Sequence, residues 1–431
     1  MRRDVSVVSV DRGQYPDTRT PWEDPDWREA ALTWAVRGLA AHGLRTTRRL
    51  AVRLRPWSVL VRMSAEDEPD AWFKANPAAS AFEAGLTEAL ARWVPGHALH
   101  PLAVDAARGW SLLPPGGALF RDVLRHDSAD GRAWEEPLRQ YAAMQRALGP
   151  RTQEMRQLGV PDARMAVLPA IFDRLVDGNT SLDPATRTAL RALRPRLKDW
   201  CDELAATGIP DSLDHADLHD GQFFAPRPGR FTFFDWGDAA VSHPFCSLLV
   251  PLRTAADRYG TPVLPRLRDA YLEPWTDTGL TAAGLRRAVS LAWRLGAVGR
   301  ACSWARLFPG AGEGRRRWGT RRGRGGWRSC SRSLRSEPAG RPVPGGGVRR
   351  CGRPRVPGCP TALVTCARLP DRTWPGDHDR SVRDRAVGGG PGAAGPQTRR
   401  SGRSSGTGPE GWVSAVRRRD RSRARVRRWC P

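Results

Sequence analysis

Several carboxylates bracket a short apolar segment in the middle of the chain. Leu213-Asp-His-Ala-Asp-Leu-His-Asp-Gly-Gln222 comes first, and Phe231-Thr-Phe-Phe-Asp235 closes the segment. Between them, apolar residues flank a Pro226-Arg-Pro-Gly turn, a pattern that predicts a β-hairpin. Aspartate is a poor strand residue and is costly to bury unless it is paired or bound to a metal. Carboxylates at both ends of a short hairpin therefore indicate chemistry.

The spacing of these residues suits phosphoryl transfer from ATP. That reaction needs a carboxylate that orients the attacking hydroxyl, oxygen ligands that hold Mg²⁺, and a lysine on the phosphates. The segment from His215 to Gln222 has the spacing H-x-D-x-x-x-x-[N/Q], and Asp235 follows at the far end of the hairpin. Upstream, Lys74 lies on a predicted strand, and either Glu83 or Glu88 of the next predicted helix could pair with it.

These motifs resemble those of the aminoglycoside phosphotransferase family, which is related to choline kinases and protein kinases. The catalytic loop of that family typically reads H-G-D-x-H-x-x-N, and its second motif is an Asp-Trp or Asp-Phe pair after an apolar strand. Phe234-Asp-Trp-Gly-Asp-Ala and His243-Pro-Phe match the second region well. The resemblance covers residues 45–305 and is sharp over 213–246.

The resemblance implies ATP and Mg²⁺ as cofactors and a hydroxylated small molecule, such as an aminoglycoside-like compound, as the acceptor. It implies a catalytic base at Asp217, metal ligands at Gln222 and Asp235, a phosphate-binding Lys74 held by Glu83, and a hinge facing the adenine at Leu113. Two features depart from the family. Gln222 stands where the family usually has Asn, and Arg55-Pro-Trp-Ser58 replaces a glycine-rich loop.

The acceptor is the least specified part of this prediction. Members of the family commonly hold a cationic aminosugar with acidic side chains of the C-terminal half. Candidates in this chain are Asp257, Asp269, Glu273 and Asp277.

Three other functions compete with the kinase interpretation. A metal-dependent hydrolase could use the cluster Asp214, His215, Asp217, His219 and Asp220. A pseudokinase that binds nucleotide but transfers poorly is motivated by Gln222. A nucleic-acid binder is motivated by the basic C-terminal segment.

The charge of the chain is concentrated after residue 314. That segment holds 30 of the 70 basic residues, all of them Arg, and 7 of the 45 acids, so the preceding residues carry 40 and 38. Because Gly, Pro, Arg and Ser dominate it, we expect no packed core there. A nucleic-acid-binding arm, a solvated linker, or translation of a wrong reading frame could explain this composition, and we favour the last.

The order of predicted elements indicates an α+β, two-lobed protein-kinase-like fold. We expect a helical extension over 1–44, a small β-rich, nucleotide-binding N-lobe over 45–115, a larger helical C-lobe with the catalytic loop and acceptor site over 116–310, and a disordered basic tail over 311–431. Ligands usually bind in the cleft of such an architecture.

Several classes of protein are disfavoured by the sequence. We expect no membrane segment, because no run of about 18 apolar residues is present. The N-terminus does not resemble a signal peptide, and Cys201, Cys246 and Cys302 are widely separated. These features predict a cytoplasmic protein, with nucleic acid contacted only non-specifically by the basic tail.

Overall fold

The computed structural model describes residues 6–65, 69–126, 130–180 and 182–307. The predicted basic tail over 311–431 and its competing explanations lie outside these residues.

The first lobe is a six-stranded sheet with the strand order β1-β2-β3-β4-β6-β5. Strand β1 pairs with β2 in parallel, and the other neighbours are antiparallel. The strands are β1 (Ser6–Asp11), β2 (Thr46–Arg55), β3 (Ser58–Ala65), β4 (Ala71–Ala75), β5 (Ala103–Asp105) and β6 (Trp110–Leu113). Two helices belong to this lobe, α1 (Pro25–Ala41) and α2 (Phe82–Trp93).

Strand β4 separates an aromatic core from a polar face. Because side chains alternate along a strand, Phe73 and Lys74 point to opposite faces of the sheet. Phe73 is fully buried, and Trp27 and Trp34 of α1 contact its ring edge-on, with centroids 6.4 and 6.0 Å away. Helix α1 therefore covers one face of the sheet and leaves Lys74 on the other.

The boundaries of α1 correct one prediction. The sequence pattern places the helix over Asp26–Ala40 with Asp26 as N-cap, but the helix begins at Pro25. The side chain of Asp24 accepts from the backbone N–H groups of Asp26 and Trp27, so Asp24 is the N-cap. Proline suits the first helical position, since its missing N–H would have no partner there. The sequence pattern also predicts strands at Leu50–Leu54, Val59–Met63, Ala71–Ala75 and Trp110–Leu113, which correspond to β2, β3, β4 and β6, but it does not predict β1 or β5.

The second lobe is mainly helical and confirms the α+β, two-lobed prediction for the described residues. Its helices are α3 (Phe120–His126), α4 (Glu135–Leu148), α5 (Thr152–Gln157), α6 (Leu168–Gly178), α7 (Pro184–Ala205), α8 (Leu249–Tyr259), α9 (Leu264–Leu272) and α10 (Ala282–Leu307). Four short strands are β7 (Ser212–Asp214), β8 (Phe223–Arg227), β9 (Arg230–Phe233) and β10 (Ala240–Ser242). No helix among the described residues could span a membrane.

The sequence pattern predicts a helix over Pro161–Val176, and the first half of this prediction is wrong. Residues from Pro161 run beside β10, where Ala163 N–H donates to Val241 O and Val241 N–H donates to Pro161 O, both at 2.8 Å. These bonds to a strand about 80 residues later in the chain hold the segment extended. The helix starts only at Leu168.

A buried hydrogen-bond network lies under the loop that follows β7. Gln145 of α4 is fully buried, and its Nε2 donates to Leu213 O (2.8 Å) and Pro244 O (3.1 Å). Its Oε1 accepts from the Tyr271 hydroxyl at 2.6 Å. The side chain thus ties α4, β7 and α9 together.

Replacing Gln145 by Leu should destabilise the fold strongly. The change leaves several buried polar partners unsatisfied, so we expect the free energy of unfolding to fall by about 2–4 kcal/mol. Urea denaturation followed by circular dichroism measures this change, and Gln153→Leu on the exposed side of α5 is the control. Equal midpoints for the two variants would contradict the role given to the network.

Candidate active site

The hairpin of β8 and β9 brings the two acidic segments together. Phe223 pairs with Phe233 in register, and Phe234 N–H donates to Gln222 O at 3.1 Å. Strands β7 and β10 also pair, so the segment that leads into this region lies next to the segment that leads out of it. The loop that carries Asp217 therefore lies next to the turn that carries Asp235.

The backbone is strained at both segments. Among the described residues, the non-glycine residues with positive φ are Ala216 (57°) and Asp235 (67°). Such conformations cost free energy and occur mostly where function demands a particular side-chain direction. One of the two residues precedes Asp217 and the other is Asp235 itself.

Lys74 links the sheet to this region. Its Nζ lies 2.6 and 2.8 Å from the carboxylate oxygens of Glu83 on α2 and 2.5 Å from Oδ1 of Asp235. The structure thus pairs Lys74 with Glu83 rather than with Glu88, which is exposed and contacts Arg92. A cation from β4 bridges carboxylates from both lobes.

Glu83 is held by further donors. The backbone N–H of Trp236 donates to its Oε1 at 3.0 Å, and the amide of Asn76 donates to its Oε2. The next residue, Gly237, lies close to the same carboxylate, because a Cβ at Gly237 would be 3.0 Å from Oε2 of Glu83. Sequence reasoning missed Asn76, although its position two residues after Lys74 puts it on the same face of the extended chain.

Burial and mutual attraction set the charges of this cluster. Burial alone would lower the pKa of Lys74, but Asp235 and Glu83 raise it above its usual value. Burial opposes ionisation of Asp235, yet the Lys74 ammonium holds the pKa of Asp235 below its usual range. Burial raises the pKa of Glu83. Lys74 and Asp235 therefore form a charged pair at neutral pH.

Asp217 lies in a mostly buried pocket with three polar neighbours. Its Oδ1 is 2.6 Å from Nη2 of Arg300, its Oδ2 accepts from Nε2 of Gln222 at 3.4 Å, and His219 Nε2 is 3.9 Å from Oδ2. Burial raises the pKa of Asp217 to about 6. A carboxylate whose pKa is near the working pH can accept a proton efficiently.

Arginine side chains that the sequence pattern did not identify complete this loop. Arg300 comes from α10, and Arg121 comes from α3, where it contacts Asp220 at 2.7 Å. Nδ1 of His219 accepts from Gly221 N–H (3.0 Å) and faces Arg121 Nη2 (3.1 Å). The ring proton of His219 is therefore assigned to Nε2, on the side of Asp217.

His215 and Asp214 have structural partners. His215 Nε2 donates to Phe234 O at 2.9 Å, and burial lowers the pKa of this histidine to about 4. Asp214 accepts from Ser247 Oγ (2.7 Å) and Ala216 N–H (2.9 Å), and burial raises its pKa to about 6. Both residues hold the loop in place.

The hydrolase alternative finds no support in these contacts. Asp214, His215 and Asp220 are each engaged by a different neighbour, and no group of three metal-ligating His, Cys, Asp or Glu side chains converges within the described residues. The hairpin end with Asp235 is instead joined to Lys74.

The side chains of Asp235 and Gln222 fit the chemistry of a magnesium site. The side chain of Asp235 is 36% exposed, and its Oδ1 already forms a salt bridge with the Lys74 ammonium. The amide of Gln222 hydrogen-bonds both Asp217 and Asp235. Carboxylate and amide oxygens are ligands that Mg²⁺ takes in proteins.

Leu113 ends β6, beside the segment that joins the lobes. It pairs in register with Trp72 of β4 and is partly buried. The following glycines let the chain pass close to the hairpin. A Cβ at Gly116 would lie 2.1 Å from the Phe224 ring, and Gly117 has a φ of 91°.

Comparisons with known proteins found similarity among solved structures only. No family model matches the chain, and no curated protein matches it. A macrolide 2′-phosphotransferase from Brachybacterium faecium is 18% identical, with 65% of this chain and 98% of that chain covered and a TM-score of 0.41. A Plasmodium vivax ethanolamine kinase is 12% identical, with 66% and 84% covered and a TM-score of 0.43. An aminoglycoside 2′-phosphotransferase solved with GDP is 15% identical, with 64% and 93% covered and a TM-score of 0.41.

Proposed function

We propose that the chain is an ATP-dependent phosphotransferase that moves the γ-phosphate to a hydroxyl group of a small molecule, on a protein-kinase-like fold. The observation that carries this proposal is the Lys74 bridge between Glu83 and Asp235 at the edge of the loop that bears Asp217. Phosphoryl transfer needs a phosphate-binding cation, a metal-binding carboxylate and a hydroxyl-orienting carboxylate close together.

Each residue then has a distinct role. Lys74 would contact the α- and β-phosphates, and Glu83 holds the Lys74 side chain in place. Asp217 orients the acceptor hydroxyl and takes its proton. Asp235 and the amide oxygen of Gln222 would hold Mg²⁺, which when bound neutralises the phosphate charge. Leu113 and the segment after it would face the adenine.

Each lobe would bind a different substrate. Residues 45–115 of the sheet lobe would bind the nucleotide, and residues 116–310 would supply the catalytic loop and the acceptor site. The turn between β2 and β3, Arg55-Pro-Trp-Ser58, would take the place of a glycine-rich loop over the phosphates.

The direct test is transfer by the full-length chain. The protein is incubated with Mg²⁺, with γ-labelled ATP or GTP, and with a panel of aminoglycosides, aminocyclitols, choline and sugars. A phosphorylated acceptor, identified by mass spectrometry, is the expected product. Absence of nucleotide binding would overturn the proposal.

A pseudokinase is the second candidate, because Gln222 reaches one methylene further than Asn and its amide nitrogen contacts Asp217. Near-octahedral Mg²⁺ coordination tolerates little displacement of a ligand. Nucleotide binding without any transfer, in Mg²⁺ or Mn²⁺, would favour this candidate over the enzyme.

Glu83→Gln should weaken catalysis by disordering Lys74. The amide keeps the size of the side chain but removes its charge, so Lys74 is drawn to Asp235 alone. We expect kcat/KM for ATP to fall about 10- to 100-fold, since small misplacements of positioning groups cost this much. Steady-state kinetics at varied ATP measure the change, with Glu88→Gln on the exposed face of α2 as control. Identical kinetics in both variants would contradict the role of Glu83.

A further inference from the structure

The last turns of α10 lie across the candidate active site. Arg300 contacts Asp217 at 2.6 Å and has its other terminal nitrogen 3.6 Å from Oδ2 of Asp238. One turn later, the ring of Trp304 lies 6.3 Å from that of Trp57 in the β2–β3 turn. Arg306 donates to Asp238 O at 3.3 Å. Helix α10 therefore touches both lobes at the point where an acceptor must approach Asp217.

Arg300 is held in a mostly buried position. Its side chain is 14% exposed, and those of Asp217 and Asp238 are 18% and 22% exposed. Asp238 follows Asp235 by one short turn, so Arg300 connects the loop before the hairpin with the turn after it. A planar guanidinium can bridge two carboxylates in this way, whereas an ammonium acts as a single point charge.

Arginines contact the acids around Asp217. Arg300 contacts the carboxylates of Asp217 and Asp238, and Arg121 pairs with Asp220 in the same loop, whereas Arg306 donates to the backbone carbonyl of Asp238. A positively charged acceptor would meet carboxylates that have arginine partners, and it would lie beside the Arg300 cation.

The acids that were expected to receive a cationic acceptor are also paired. Asp269 contacts Arg268 (2.9 Å) and Arg286 (3.5 Å). Glu273 lies 2.5 Å from Arg139, and Asp277 lies 2.8 Å from Arg146. Asp257 interacts electrostatically with Arg253 on the same helix. Each of the four acids therefore already has an arginine neighbour, which argues against a role in binding an amino group of the acceptor.

We propose that Arg300 positions Asp217 and selects against cationic acceptors, so that the enzyme phosphorylates a neutral polyhydroxylated compound with no ammonium group beside the reacting hydroxyl. This inference rests on the proposed phosphotransferase function. Like charges brought together in a mostly buried site are strongly unfavourable. The guanidinium contact fixes the direction in which Asp217 presents its free oxygen to the acceptor.

The test uses acceptors in matched pairs with the full-length chain. Each pair consists of a neutral polyol or sugar and the same molecule with one hydroxyl replaced by an amine, such as glucose and glucosamine, at a pH where the amine is charged. The expected result is a kcat/KM at least about 10-fold higher for the neutral member. A preference for the charged member would overturn the proposal.

Variants of Arg300 separate positioning from a purely structural role. Arg300→Gln should lower kcat about 10- to 100-fold and leave the KM for ATP unchanged. It should also bring the ratio of kcat/KM for the neutral and the charged acceptor of each pair toward one. Arg300→Lys keeps the charge, so it should keep the ratio but lower kcat. Arg287→Gln, at an exposed position on the same helix, should match the unchanged protein.

The outcomes distinguish the two proposals. An Arg300→Gln variant with the kinetics of Arg287→Gln would overturn the role of Arg300 while leaving the phosphotransferase intact. If Arg300→Gln does not fold, Arg300→Lys decides, because kinetics identical to the unchanged protein would overturn the positioning role. Failure of every acceptor with every nucleotide would remove the proposed function itself.

Discussion

Asp217→Asn is expected to reduce kcat for phosphoryl transfer by about 10²- to 10⁴-fold, the contribution usual for a general base. The substitution keeps the shape of the side chain, and its Oδ1 can still accept from Arg300. It removes the charge that orients the acceptor hydroxyl and the site that takes its proton. Since Asp217 does not touch Lys74, the proposed phosphate-binding residue, the affinity for ATP should stay within a factor of about three of the original value.

Two measurements on the same protein check this expectation. Calorimetric titration with MgATP gives the nucleotide affinity, and labelled-phosphate transfer gives kcat. Asp199→Asn, on the exposed side of α7, controls for the loss of a carboxylate in general. A variant that binds ATP and retains more than about a tenth of the original kcat would show that Asp217 is not the base.

The sequence was most informative where chemistry constrains it locally. The hairpin of β8 and β9 was predicted from apolar runs around Pro226-Arg-Pro-Gly, and the structure confirms it. The interval from Asp217 to Asp235 is short enough that a single hairpin must bring the two segments together. Residues on one local unit can therefore be predicted from spacing alone.

Residues that join distant elements could not be predicted in this way. Arg300 reaches Asp217 from a helix more than 80 positions later, and nothing in the sequence distinguishes it from the many other arginines. The extended segment at Pro161 has the same explanation, because its hydrogen bonds go to β10. In both cases a contact with a residue distant in the sequence, rather than the local sequence pattern, determines the structure.

Asp235→Asn should move the Mg²⁺ midpoint for nucleotide binding to a higher concentration and lower kcat/KM for ATP by about 10²- to 10³-fold. The amide cannot provide the charge that a divalent cation requires, and a metal stabilises the transferring phosphate by several kcal/mol. Lys74 also loses one of its two carboxylate partners, so its ammonium should turn toward Glu83. The loss should therefore exceed that of Glu83→Gln, which spares the metal ligand.

Magnesium titrations at fixed ATP discriminate between a metal role and a structural role for Asp235. If Asp235 only braces Lys74, the variant should bind ATP weakly but with an unchanged Mg²⁺ midpoint. If Asp235 holds the metal, the midpoint should move to higher Mg²⁺ while the thermal unfolding midpoint changes little. Asp173→Asn, which removes a partly exposed partner of Arg194, is the control for loss of an ion pair.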